Sequence, residues 1–287
     1  MSKVDKSKKF LAWAKLFRIE HCLALGIATI IALKILNISD LNLLFLSFLV
    51  PFFVSCASFA LNDFYDIETD KINKKYDRPL VTGLINPFHA YIASIIFFIL
   101  GILISSFINL YAFLLTLFAS LASYFYNIKL KDIALIGNIY IAFTMSLPFL
   151  FAVTIANNLN MAIILLSLCA FFLGLGREII KTVQDFEGDL KARKSKTLPF
   201  YIGKDSSMKL ATFFLLLALI LSFFLLYEIF KNYEVKNKLL LTIPYIIAIA
   251  AISFCIPYAW KNMNHELIRK LTLYAIFFVL LSIFLGL

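Results

Sequence analysis

Nine stretches of this chain stay apolar for about 20 residues each, at roughly 15–35, 41–62, 88–108, 110–127, 133–155, 161–180, 208–227, 238–259 and 268–287. That is the length a helix needs to cross a ~30 Å hydrocarbon layer at ~1.5 Å per residue. The runs show no period-two alternation, so they predict helices and not strands. Only Ser105, Ser106 and Asn109 separate the third run from the fourth. The predicted fold class is all-α, a polytopic membrane bundle of nine transmembrane helices. Residues 1–287 are expected to form a single transmembrane domain, because no polar stretch is long enough to fold as a second unit.

Composition sharpens this picture. Apolar residues make up 62% of the chain and charged residues 15%, whereas a soluble helical protein of this size needs more wet surface. The formal charge of +10 raises the question of nucleic acid. The cations lie in gaps between apolar runs and not along one soluble face, so no nucleic-acid partner is expected. Cys22, Cys56, Cys169 and Cys255 each sit inside an apolar run without CxxC spacing, which reads as buried small hydrophobes. The N-terminus is basic, but no small-residue cleavage context follows the first run cleanly, so a removed signal peptide is not expected.

Cations also set the orientation. Lys3 to Arg18, Lys71 to Arg78, Lys129 and Lys131, Lys181 to Lys204, and Lys261 to Lys270 all fall on one side. The positive-inside rule places that side in the cytoplasm of a multi-pass cell-membrane protein, with the N-terminus inside and the C-terminus outside.

Two acidic clusters end apolar runs on this basic side. Asn62, Asp66 and Asp70 recur at intervals of four, with Asp63 on an adjoining flank, and Asp185 and Asp189 repeat the spacing at an offset of 119. Residues three or four apart share a helix face, so each set can converge on one spot. The first set lies at a helix C-terminal end, where the dipole disfavours anions and bound cations relieve it. Five aspartates and a fully ionised diphosphate of about −3 would exclude each other without divalent ions. Two Mg2+ ions bridging carboxylates and phosphoryl oxygens would bring them together. The bland alternative, carboxylates merely ending membrane helices in water, stays open.

Other residues support the same chemistry. Arg78 suits a forked contact with phosphate, although it also fits an interfacial cation before Pro79. Tyr124, Tyr126, Asn127, Lys129 and Lys131 form a patch at the end of the fourth run, readable either as membrane anchors or as a diphosphate grip. Arg177 and Glu178 lie about two turns before Asp185, where charge needs a partner or a polar cavity. The chain therefore reads as a membrane-embedded, metal-dependent enzyme acting on a phosphorylated lipid.

At these residues the sequence resembles the UbiA family of intramembrane prenyltransferases. Asn62, Asp63, Asp66 and Asp70 match its NDxxDxxxD pattern, and Asp77-Arg78-Pro79 with Gly83 resembles its DRPxxxG segment. Tyr126 with Lys131, followed by Gly137-Asn138, looks like its YxxxxK and GN signature. Asp185 and Asp189 match its second DxxxD motif, and Arg18 is similar to an arginine near its first helix, without the usual neighbouring proline.

The resemblance implies a nine-helix UbiA-like bundle and Mg2+-dependent transfer from a prenyl diphosphate donor. Asn62, Asp66, Asp70, Asp185 and Asp189 would hold metal. Asp63 would support or join that shell, and Arg78 and Lys131 would grip the diphosphate. Arg18, Tyr124, Tyr126, Asn138 and Arg177 would contact substrate. The segment NDFYDIETDKINKKYDRPLVTG looks most like archaeal members that attach a second geranylgeranyl chain to geranylgeranylglyceryl phosphate. A phosphate-bearing acceptor would call on Lys191, Arg193, Lys194 or Lys196. An aromatic acceptor such as 4-hydroxybenzoate or a naphthoate is the alternative. A secondary transporter is the alternative of another class, although transport sites usually lie at the bilayer midplane.

Overall fold

The computed structural model describes residues 3–193 and 195–286, without the side chains of residues 3–6, 192 and 193. The described residues form twelve α-helices: α1 (Lys3–Phe17), α2 (Ile19–Ile35), α3 (Leu41–Tyr65), α4 (Ile67–Ile72), α5 (Pro87–Ser106), α6 (Leu110–Ile128), α7 (Ile136–Ala156), α8 (Met161–Arg193), α9 (Leu198–Ile202), α10 (Lys204–Asn232), α11 (Lys238–Trp260) and α12 (His265–Gly286). Eight are long and apolar enough to cross a membrane, and α1 with α2 supplies a ninth if that pair, bent by 49°, is one broken span. Pairing between strands is limited, among the described residues, to an isolated bridge between Ile133 and Lys196.

Polar residues mark where the runs start. Asp40 Oδ1 accepts the Leu43 amide at 2.7 Å, Asn86 Oδ1 that of Phe88 at 2.8 Å, and Asn109 Oδ1 that of Ala112 at 2.8 Å. These are N-caps for α3, α5 and α6, satisfying amides that lipid cannot. Large side chains such as Phe45, Phe88, Ile96, Leu103 and Phe118 point outward and exposed, the inversion expected of lipid-facing helices.

The elements depart from the sequence expectation in two places. The first span breaks at Arg18, whose φ of 48° puts a non-glycine residue in the left-handed region, at a cost of about 1–2 kcal/mol. The sixth span does not stop near residue 180, because α8 stays helical to Arg193. Asp185 and Asp189 therefore stand on helix.

The chain divides into two compact units. One comprises Met1–Ile30, Ser39–Lys131 and Gly188–Ser195. Its core joins Ala12, Leu16, Ala60, Leu80, Ile85 and Ala90, and a second cluster gathers Ala57, Leu61 and Phe98 with Tyr65, Tyr91 and Tyr124. The other comprises Ile31–Ile38, Asp132–Glu187 and Lys196–Leu287. There α8 meets α10 closely: a Cβ at Gly176 would lie 3.0 Å from the Ala211 carbonyl oxygen, the small-residue contact on which membrane helices rely.

Candidate active site

The first acidic motif spans the junction of α3 and α4. Asp66 ends one helix and begins the other, yet its amide still donates to Asn62 O at 3.0 Å, and the Asp70 amide donates to Asp66 O at 2.7 Å. Helical spacing thus survives the junction and keeps Asn62, Asp66 and Asp70 on one side.

α6 and the turn that follows it meet this face of α3 and its Asp66 cap in constant register. Ser123 Oγ donates to Ser58 Oγ at 2.9 Å, Asn62 Nδ2 to Asn127 Oδ1 at 3.0 Å, and Lys131 Nζ to Asp66 Oδ1 at 2.6 Å. Each rung joins residues 65 apart. Asn62 Nδ2 also donates to Asp66 Oδ2 at 3.0 Å, and the Lys131 ammonium lies 5.8 Å from the centre of the Tyr65 ring.

Asp63 faces elsewhere. Arg18 Nη2 donates to its Oδ1 at 2.8 Å, and Arg78 Nη1 donates to the same oxygen. The carboxylate is only 2% exposed, and its Oδ2 has no hydrogen-bond partner. The Arg18 guanidinium also rests 4.6 Å from the centre of the Phe59 ring, a cation–π contact. The bend at Arg18 delivers this side chain to α3. The loop after α4 delivers Arg78: Lys74 has φ 56°, the Lys75 amide donates to Asp70 O at 2.9 Å, and the Arg78 amide donates to Lys75 O at 3.1 Å.

Asp70 is buried between Lys75, 3.5 Å from its Oδ1, and Arg78, 3.6 Å from its Oδ2. Burial pushes its carboxyl above the ordinary range, with Arg78 and Lys75 pulling it back. Three carboxylates, Asp63, Asp66 and Asp70, thus face four cations, Arg18, Lys75, Arg78 and Lys131.

A preassembled metal shell is not what these contacts make. Among the described residues, no three His, Cys, Asp or Glu side chains gather as a metal-holding group. Asp66 and Asp70 lie instead against Lys131, Lys75 and Arg78. The donor set still fits Mg2+: it is all oxygen, and Asp70 Oδ2 is a buried acceptor with no hydrogen bond.

The remaining sequence candidates are spread more widely. Asp189 is in the first unit, where its carbonyl accepts the Ser195 amide at 3.4 Å. The neighbouring Gly188 packs so tightly on Asn73 that any Cβ would overlap the Asn73 side chain. Tyr124 packs in the Leu61 cluster, and Tyr126 is buried. In the second unit Asp185 is half-buried, and Asn138 Nδ2 donates to Thr182 Oγ1 at 2.7 Å, tying α7 to α8. Arg177 Nε donates to Arg269 O at 3.5 Å, and Arg269 Nη1 to Gln184 Oε1 at 2.8 Å. Lys191 is exposed, while the Arg193 side chain and Lys194 lie outside the described residues. Lys196 stands 5.3 Å from the Phe200 ring centre. Sequence reasoning gave no role to Lys75, Gly188 or Arg269, and placed Asn127 only in a patch. No local spacing links Asn127 to Asn62, so this pairing shows only in the packing of α6 on α3.

The sequence model of the UbiA prenyltransferase family matches residues 23–282. The digeranylgeranylglyceryl phosphate synthase of Methanocaldococcus jannaschii is 34% identical over 267 residues, covering 92% of this chain and 91% of its own. That of Thermococcus kodakarensis is 33% identical over 217 residues, covering 75% and 77%. A solved structure from work on digeranylgeranylglyceryl phosphate synthase in membranes superimposes with a TM-score of 0.70 at 34% identity, covering 97% of this chain and 98% of that one. A UbiA homolog from Archaeoglobus fulgidus bound to GPP and Mg2+ gives a TM-score of 0.70 at 23% identity and covers 96% and 99%, a likeness of fold.

Proposed function

This chain belongs to the UbiA prenyltransferase family, and on that premise we propose that it transfers a geranylgeranyl group from geranylgeranyl diphosphate to geranylgeranylglyceryl phosphate. The products are digeranylgeranylglyceryl phosphate and diphosphate. The observation that carries the reading is the buried cluster at the α3–α4 junction, where four cations meet three carboxylates at the end of apolar helices. The identity of this chain with digeranylgeranylglyceryl phosphate synthases over most of both chains supports this acceptor.

Arg78 and Lys131 bind the donor diphosphate, and Arg18 holds the same pole through Asp63. Asn62, Asp66 and Asp70 would hold Mg2+, and Asp185 and Asp189 of the second motif would share that task. Mg2+ held there would supply positive charge against that developing on the departing diphosphate. As the allylic C–O bond breaks, its electron pair leaves with the diphosphate. The acceptor hydroxyl oxygen then bonds to the allylic carbon to form the ether, and its proton passes to the departed diphosphate. Tyr65, beside Lys131, offers a ring face to the positive carbon. The apolar helices take the tails and keep water from the cation.

Lys191 and Arg193 are assigned to the acceptor phosphate, with the basic loops in the cytoplasm, the N-terminus inside and the C-terminus outside. We keep residues 1–287 as one domain, because each unit is assembled from three interleaved segments that no single cut separates.

The test is a product assay on purified protein in neutral detergent. It offers geranylgeranyl diphosphate with geranylgeranylglyceryl phosphate, its dephosphorylated form or 4-hydroxybenzoate, with and without Mg2+. Ether product from the phosphorylated acceptor, dependent on Mg2+, is expected. Efficient prenylation of 4-hydroxybenzoate instead would move the chain to an aromatic acceptor.

A further inference from the structure

The carboxylates of the first motif can bind a cation through either oxygen, but Asn62 can do so only through Oδ1, because its Nδ2 is a pure donor. Which way this amide is turned therefore decides whether it can serve as a ligand. Nδ2 donates to Asp66 Oδ2 and to Asn127 Oδ1, both at 3.0 Å. Turned over, the amide would set Oδ1 against two acceptor oxygens, an arrangement the network forbids.

Asn127 is fixed in turn. It is 2% exposed on α6, and its own Nδ2 donates to the Ser123 carbonyl at 2.9 Å. That bond commits its nitrogen to its own helix and presents its Oδ1 to Asn62. One rung deeper, Ser123 Oγ donates to Ser58 Oγ at 2.9 Å and holds the two helices in the register that lets Asn127 meet Asn62.

We propose that Asn127 is a positioning residue for the metal site: by accepting from Asn62 Nδ2 it keeps Asn62 Oδ1 turned towards the divalent cation. This rests on the Mg2+ reading of the first motif given above. Asn127 touches neither metal nor substrate and acts through Asn62. Partners of this kind orient a ligand, and losing one weakens metal affinity by about 10–100-fold.

The experiment titrates Mn2+ into the full-length protein in detergent with inorganic diphosphate, reading bound Mn2+ by electron paramagnetic resonance. Mg2+ dependence of turnover is measured alongside. Asn127→Leu should bind Mn2+ about 10-fold more weakly and need correspondingly more Mg2+. Its turnover at saturating Mg2+ and its acceptor KM should stay near those of the parent. Asn127→Asp keeps an acceptor oxygen for Asn62 but loses the donor that the Ser123 carbonyl accepts, so it should restore only part of the affinity. In an Asn62→Ala background Asn127→Leu should add little, since the amide it orients is gone.

Wild-type protein that binds no Mn2+ would sink the metal reading of the motif. Wild-type binding with unchanged affinity in Asn127→Leu would overturn this inference alone. Equal losses in both backgrounds would mean general damage to α6 and would also overturn it. Should the leucine variant not fold, Asn127→Ala removes the same acceptor without adding bulk, and the same outcomes apply.

Discussion

At the scale of single residues, the site holds its charges against their own solvation. Asp70 shows the sign most clearly. Burial raises its folded carboxyl above the ordinary value, so at neutral pH the ionised form weakens the metal-free fold, and that cost disappears as falling pH protonates the group. Asp70→Asn should therefore melt in EDTA at the parent temperature or above. Its prenyl transfer should fall about 100-fold or more, since one metal contact can supply several kcal/mol to the transition state. A melting temperature well below the parent would contradict the sign; turnover near the parent value would remove Asp70 from the metal site. Arg78 bonds Asp63 and stands beside Asp70. Arg78→Ala should raise the donor KM, and Arg78→Lys should recover only part, because an ammonium cannot reproduce a forked guanidinium. Unchanged donor kinetics in both variants would leave Arg78 with a purely structural task.

At the scale of elements, the loop after α4 and the last turns of α8 meet through a residue with no side chain. Any Cβ on Gly188 would overlap the Asn73 side chain, so in Gly188→Ala either that side chain swings aside or the α8 end, with Asp189, shifts from the α4 loop. We expect Gly188→Ala to lower activity and Asn73→Ala to restore part of it in the double variant, as coupled neighbours do; purely additive effects on kcat/KM would refute the contact. The apolar runs themselves were legible, because lipid sets their length and their ends. Asn109 marked the start of α6 as a cap would. The break at Arg18 was not legible, since neither Gly nor Pro stands there and the residue adopts a left-handed φ of 48°. The spacing of Asp185 and Asp189 already read as helix, but the further course to Arg193 was hidden, because its polar composition reads as loop while the residues stay helical.

For the whole molecule, the expected behaviour is that of a protein whose charged pole becomes more stable when its ligands arrive. Mg2+ with inorganic diphosphate should raise the melting temperature of the purified protein, and EDTA should reverse it. At a ligand excess of 100 times Kd the gain is about 2.7 kcal/mol. Diphosphate that stabilises equally without any divalent ion would point to Arg78 and Lys131 alone as its binders. The motifs announced which residue types this pole contains, because oxygen donors and cations on one side of a membrane are a pattern along the chain. They could not announce who pairs with whom. Asp63 was expected to support or join a metal shell, and the structure shows it clamping Arg18 and Arg78, a contact set by a bend and a loop that no local spacing encodes.

The fixed separation of 65 between the rungs that join α3 and its cap to α6 and the turn after it has a practical meaning for redesign. Position 62 is half of a sentence completed at position 127, and position 66 is completed at 131. A library that randomises the acidic motif alone would discard workable solutions, because each new residue is judged against an old partner. Varying the two helices rung by rung, as three two-letter words, is the search that respects how this site is spelled.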